Sequence, residues 1–240
     1  MSNGERSTRW LCAVGCALVL LAVVQPRADA ATRMVTFRAA DGRLISGLFT
    51  EAPRRPAPAV VLVPMLGRSK DDWQSVAQRL ADANISSLAI DLPASSLPAD
   101  TAALTAWHTD IRAAVEHLSS RPDVRPGAIG IAGASLGASL AVLAAAADPR
   151  IRSLALVSPS LDYRGVRIEA PMRQYASRPA LLIASLKDPL AARTVRELTK
   201  APPGPREARW AETTAHGTIL LAREPDLVRA LAEWFQRTLG

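Results

Sequence analysis

Cysteine is confined to positions 12 and 16 of this 240-residue chain. Everything after Cys16 is therefore without disulfides, and a cysteine nucleophile is excluded there. Lysine is almost as scarce: Lys70, Lys187 and Lys200 are the only ones among 29 basic residues. The formal net charge is +7, and setting aside residues 1–30, with Arg6, Arg9 and Arg27 against Glu5 and Asp29, leaves +6. The arginines are scattered, with no basic run and no interleaved aromatics, as nucleic-acid binding would require. No nucleic-acid partner is expected. Histidine occurs three times, at positions 108, 117 and 216. Any general base of the imidazole type must come from these.

Long apolar runs are also lacking, with one exception at the start. Leu11 to Val24 is uninterrupted, preceded by Arg6 and Arg9 and followed by Ala28-Asp29-Ala30. A stretch of about 14 residues falls short of the roughly 20 that span a bilayer. Its basic flank and A-x-A end are those of a secretory signal. The expected organisation is a signal peptide over 1–30 and one domain over 31–240, secreted or periplasmic. An uncleaved anchor is the alternative. A lipidated Cys16 is a further one, disfavoured because most of the apolar run follows it.

The rest of the chain alternates between two kinds of segment. Arg33 to Arg38 and Leu44 to Thr50 read as a hairpin around Asp41-Gly42. Ala59 to Val63, Ser87 to Ile90, Ala128 to Ala132, Ser153 to Val157 and Ala180 to Ala184 are short, mainly apolar strands, and Glu207 to Ala211 reads as a further strand. Helical spacing falls between them: Asp71 to Ala83, Ala102 to Leu118, Ala138 to Ala146, Leu190 to Lys200 and Pro225 to Leu239. This is the pattern of an α/β domain with a mainly parallel, doubly wound sheet of about eight strands and helices on both faces. Sites in such sheets lie beyond the carboxyl ends of the strands.

Gly133-Ala134-Ser135-Leu136-Gly137 stands at such an end. A G-x-S-x-G turn between strand and helix exposes a serine in constrained backbone geometry, with a helix N-terminus behind it. A serine hydroxyl needs a base. His108 and His117 lie nine residues apart in one predicted helix, on opposite faces. His216 follows the last strand in the loop Thr213 to Thr218 and is the expected base. The base needs a carboxylate to orient it. Asp188 follows the Ala180 to Ala184 strand and doubles as a helix N-cap before Pro189. The chain order Ser135, Asp188, His216 favours it. Asp162 is the second candidate and Asp91 the third. The oxyanion donors are expected at the backbone N–H of Leu136 and of Met65 or Leu66, with Leu66 preferred because Pro64 has no N–H.

These pieces together resemble the α/β-hydrolases, of the small bacterial dienelactone-hydrolase-like kind. The likeness is carried by Val60 to Ser69 with Asp72-Trp73, Ile129 to Ala138, Ser158 to Gly165, Arg178 to Ala184 with Asp188, and Ala215 to Thr218. It implies ester or related acyl hydrolysis through Ser135, Asp188 and His216, on a small-molecule ester and with no cofactor or metal. Two segments depart from the family pattern. Pro64 stands where a loop-supporting histidine is usual. Asp91 to Pro98 replaces an Arg-Gly-His-Gly segment at the rim of the site, where it bears on substrate choice. Leu161 to Arg178 is too short for a large lid domain. A peptidase or acyltransferase on the same triad, and a non-catalytic envelope binding protein on the same fold, are the alternative readings.

Overall fold

The computed structural model describes residues 30–93, 97–98, 100–200 and 204–240. The expected signal segment lies outside the described residues up to position 29, as do positions 94–96 of the Asp91 to Pro98 loop. Strands are β1 Thr32–Arg38, β2 Leu44–Thr50, β3 Ala57–Val63, β4 Ser86–Ile90, β5 Val124–Ala134, β6 Ile151–Val157, β7 Asp162–Tyr163, β8 Val166–Arg167, β9 Ala180–Ser185 and β10 Arg206–Ala211. Helices are α1 Gln74–Asp82, α2 Thr101–Ala106, α3 His108–Ser119, α4 Leu136–Ala147, α5 Glu169–Tyr175, α6 Pro189–Lys200, α7 Thr218–Arg223 and α8 Pro225–Leu239.

Eight strands form one sheet in the order β1-β2-β4-β3-β5-β6-β9-β10. The β1–β2 and β2–β4 pairs are antiparallel, and every pair from β4 to β10 is parallel. Parallel strands covered on both faces must be apolar on both faces, and β3 is buried at all seven positions. Alternate side chains then go to opposite layers. Val61 and Val63 join Leu104, Ile111, Val115, Leu140 and Tyr175 on the face covered by α2 to α5. Val60 and Leu62 join Trp73, Leu80, Leu231, Trp234 and Phe235 on the face covered by α1 and α8. Each large side chain so buried contributes roughly 1.5–3 kcal/mol.

This is the α/β-hydrolase architecture read from the sequence, with no large extra domain among the described residues. Four local features differ from that reading. The single helix expected over Ala102 to Leu118 breaks at Trp107. There the Trp107 N–H bonds to Leu104 O at 3.2 Å, and the Asp110 N–H bonds to Trp107 O at 3.2 Å. This three-residue spacing winds the chain too tightly to continue an α-helix. The Asp71 to Ala83 helix begins as a 3-10 turn over Lys70–Trp73, capped by Ser69, before α1 proper. The segment after β6 carries the β7–β8 hairpin and α5, and α7 stands between the His216 loop and the last helix, where no helix is expected.

Candidate active site

Ser135, Asp188, His216, Met65 and Leu66 sit beyond the carboxyl ends of parallel strands, where three loops and one helix N-terminus meet. Ser135 lies between β5 and α4 with φ 52° and ψ −117°. This is the corner conformation of a mirror-image β-turn, in which glycine is the favoured residue. The serine is held there from both sides. Its N–H donates to Val157 O of β6 at 2.9 Å, and its C=O accepts from Ala138 and Ser139 N–H at 3.0 and 3.2 Å.

The helix behind it can lie this close because residue 137 is glycine. A Cβ there would come within 2.6 Å of Val63 O and closer still to Pro64 O. The first turn of α4 therefore rests on the end of β3. This brings the Leu136 N–H, at the first helical position and without an intrahelical acceptor, beside the loop that begins at Pro64. In that loop Arg68 N–H closes a turn onto Met65 O at 3.2 Å. Among the described residues neither Met65 nor Leu66 donates its N–H to a protein acceptor.

His216 follows β10 in a loop tied down at several points. Its Nδ1 lies 2.5 Å from Asp188 Oδ2. A carboxylate accepts, so Nδ1 carries the proton and Nε2 keeps the lone pair in the neutral ring. Asp188 divides its oxygens: Oδ1 accepts from Ala191 N–H at 3.1 Å and caps α6, while Oδ2 faces the imidazole. The Asp188 side chain is 17% exposed and that of His216 44%. The carboxylate is thus shielded while the imidazole opens to solvent.

Two serines that sequence reasoning missed hold these loops together. Buried Ser185, last in β9, donates its hydroxyl to Thr213 O in the His216 loop and accepts from Lys187 N–H at 3.0 Å beside Asp188. Ser158, also buried, has φ 50° and accepts from Gly217 N–H at 3.0 Å. Ser158 directly follows Val157, whose carbonyl holds Ser135. The Ser135 turn and the histidine loop are thus both fastened to the end of β6. Gly217 has φ 57°, and a Cβ on it would strike Met65 Sδ. The histidine loop therefore also lies against the loop after β3. The only sequence sign of these two serines is a small polar residue ending an apolar strand.

The other acids and histidines are engaged elsewhere. Asp162 accepts from Gly165 N–H at 2.7 Å and from Arg167 Nε at 2.9 Å. Those bonds, Arg167 first, hold its carboxyl below the usual range. Asp91 accepts from Lys70 N–H at 2.9 Å and Lys70 Nζ at 2.6 Å. His108 Nδ1 donates to Thr105 O at 2.8 Å. His117 stacks on Phe37 at 4.9 Å, and burial pushes its pKa down. Among the described residues no three His, Cys, Asp or Glu side chains are grouped to hold a metal ion, and no helix is long and apolar enough to cross a membrane.

The model of the alpha/beta hydrolase family matches residues 60–239. Among curated proteins none matches the chain. Solved structures share the fold at low identity. A dienelactone hydrolase from Anabaena variabilis is 16% identical, covers 89% of this chain and 100% of its own, and has a TM-score of 0.72. The esterase domain of a Rhodothermus marinus protein is 17% identical over 88% of this chain and 100% of its own, at a TM-score of 0.70. A thermostable carboxylesterase cloned from a metagenomic library is 19% identical, over 89% and 90% of the two chains, at a TM-score of 0.70. With its serine turn, its sheet order and a family match across three quarters of its length, this chain belongs to the alpha/beta hydrolase family.

Proposed function

We propose that the protein is a serine hydrolase that cleaves a carboxylic ester through an acyl-enzyme on Ser135. The observation that carries this reading is the 2.5 Å hydrogen bond between Asp188 and His216, in a loop fastened beside the Ser135 turn. Nδ1–H is committed to Asp188, so Nε2 is the ring atom able to take the Ser135 Oγ proton. The alkoxide oxygen attacks the ester carbonyl. Negative charge then develops on the former carbonyl oxygen, and donors fixed in advance stabilise it without reorganising. The N–H of Leu136 and that of Leu66, or of Met65, are the groups assigned to this role. His216 returns the proton to the departing alcohol. Water, deprotonated by the same Nε2, releases the acid and restores Ser135.

A fluorophosphonate probe tests the nucleophile. Wild-type protein is expected to be labelled and to hydrolyse short p-nitrophenyl esters. Ser135→Ala is expected to fold normally, resist labelling and lose hydrolysis. Full turnover by well-folded Ser135→Ala refutes the reading.

Export belongs to the same proposal, resting on the signal-like composition of residues 1–30. Expressed with its leader in a bacterium, the protein is expected outside the cytoplasm with Ala31 first by N-terminal sequencing. An intact Met1 on membrane-bound protein, or a lipid on Cys16, refutes it.

A further inference from the structure

The loop between β3 and the 3-10 turn has to hold a backbone donor steady, yet no strand partner fixes it. Beyond the Arg68–Met65 turn and the close approach of Gly137 and Gly217, side-chain bonds support it. Arg68 forks onto Asp72, with Nε on Oδ2 at 2.6 Å and an Nη on Oδ1 at 2.9 Å. Asp72 Oδ2 also accepts from Thr218 Oγ1 at 2.9 Å. Thr218 lies two residues after His216 and opens α7, and it is 3% exposed. One carboxylate therefore ties the loop after β3 to the loop that carries His216, across 146 positions of sequence.

An acid at a helix start is usually explained by the helix dipole and solvent. That account does not cover Asp72. Both its oxygens are spent on residues outside its own turn, and its side chain is only 16% exposed. A hydroxyl donating to a shielded carboxylate is a charge-assisted bond in a region of reduced dielectric. The pair thus has the strength to hold two loops in register. We propose that Asp72 is a positioning residue, aligning the oxyanion loop with the histidine loop through Arg68 and Thr218. The proposal rests on the ester-hydrolase reading above. It adds a requirement of this chain that the Ser-Asp-His set alone does not contain.

Thr218→Val keeps the shape of the side chain and removes only the donor to Asp72. Thr218→Ser keeps the donor. Asp72→Asn keeps the size and removes the charge. Each is measured for kcat and KM on a p-nitrophenyl ester, counted per site labelled by the fluorophosphonate, alongside its thermal midpoint. A misplaced donor or base weakens transition-state stabilisation more than ground-state binding. The expected result is a kcat lower by about tenfold in Thr218→Val and Asp72→Asn with KM nearly unchanged, since sub-ångström misplacement has costs of this order. Thr218→Ser is expected to turn over like wild type. Wild-type kcat per labelled site in Thr218→Val and Asp72→Asn overturns the proposal, even if both melt earlier. An equal loss in Thr218→Ser and Thr218→Val also overturns it, because the hydroxyl then does not matter. A wild-type protein that the probe never labels refutes the hydrolase reading, and this inference falls with it.

Discussion

The segments that follow β6 and β9 leave the sheet side by side, with Val157 paired to Ile183. Each carries an aspartate a few residues on, Asp162 in one and Asp188 in the other. The first segment turns back on itself. Asp162 spends one oxygen on Gly165 N–H and the other on Arg167, closing the β7–β8 hairpin, and its side chain is 45% exposed. The second runs directly into α6. Asp188 spends one oxygen on the helix cap, and the other remains for His216. Both are acids beyond a central strand of one sheet. What separates them is where the carboxylate is directed. Asp162 is closed onto its own hairpin, whereas Asp188 turns one oxygen to the imidazole of a distant loop.

The largest effect that tests this contrast comes from Asp188→Asn. Asparagine caps a helix about as well as aspartate, so α6 and the fold are expected to survive. The imidazole loses its carboxylate, and kcat is expected to fall by about ten-thousandfold, the cost of the same change in a known triad. Measured ester hydrolysis within tenfold of wild type would erase the distinction between the two acids.

Asp188→Ala separates the two oxygens. It is expected to lose activity like the asparagine variant and in addition to cost about 1 kcal/mol of stability, the usual worth of an N-cap. Urea denaturation of the two variants side by side measures that difference. Equal midpoints would mean that the Oδ1 bond to Ala191 does not support α6.

A smaller effect is expected from Asp162→Asn. Hydrolysis is expected to stay within about twofold of wild type, because exposed substitutions away from a site rarely shift stability by more than about 0.5 kcal/mol. A loss matching that of Asp188→Asn would move the orienting acid one strand across the sheet.

The smallest is a titration. Arg167 and Gly165 hold the Asp162 carboxyl below its ordinary pKa. Its hairpin bonds are therefore fully present above the ordinary carboxylate range and are lost as pH falls through the lowered value. Amide exchange at Gly165 is expected to quicken on acidification below the ordinary aspartate range and to be pH-independent, apart from intrinsic chemistry, in Asp162→Asn. Uniform protection of Gly165 down to low pH would contradict it.

The sheet was readable in advance because parallel strands covered on both faces are apolar on both faces. Runs such as Val60 to Val63 and Leu181 to Ala184 admit few other readings. That Ser135, Asp188 and His216 each follow a strand was readable because the strands before them were. What could not be read depends on long-range contacts. Ser158, Ser185 and the Asp72–Thr218 bond join segments between 28 and 146 residues apart, and no local pattern marks them. The break at Trp107 was hidden for a different reason. Leu104, Ile111, Val115 and Leu118 keep a helical period on both sides of it, so one helix and two short ones share a single pattern. The β7–β8 hairpin has two-residue strands, too short to show alternation.

The backbone at Ser135 has a consequence for engineering. Its φ and ψ belong to a region where glycine is at ease and other residues pay on the order of 1–3 kcal/mol. Glycine at that position would relieve the tension and leave the neighbouring bonds in place. A library screened for heat tolerance alone would therefore drift towards inert proteins, trading the hydroxyl for a relaxed turn. Any programme to harden this scaffold has to select for turnover at every round, because one route to greater stability runs through the residue that would do the chemistry.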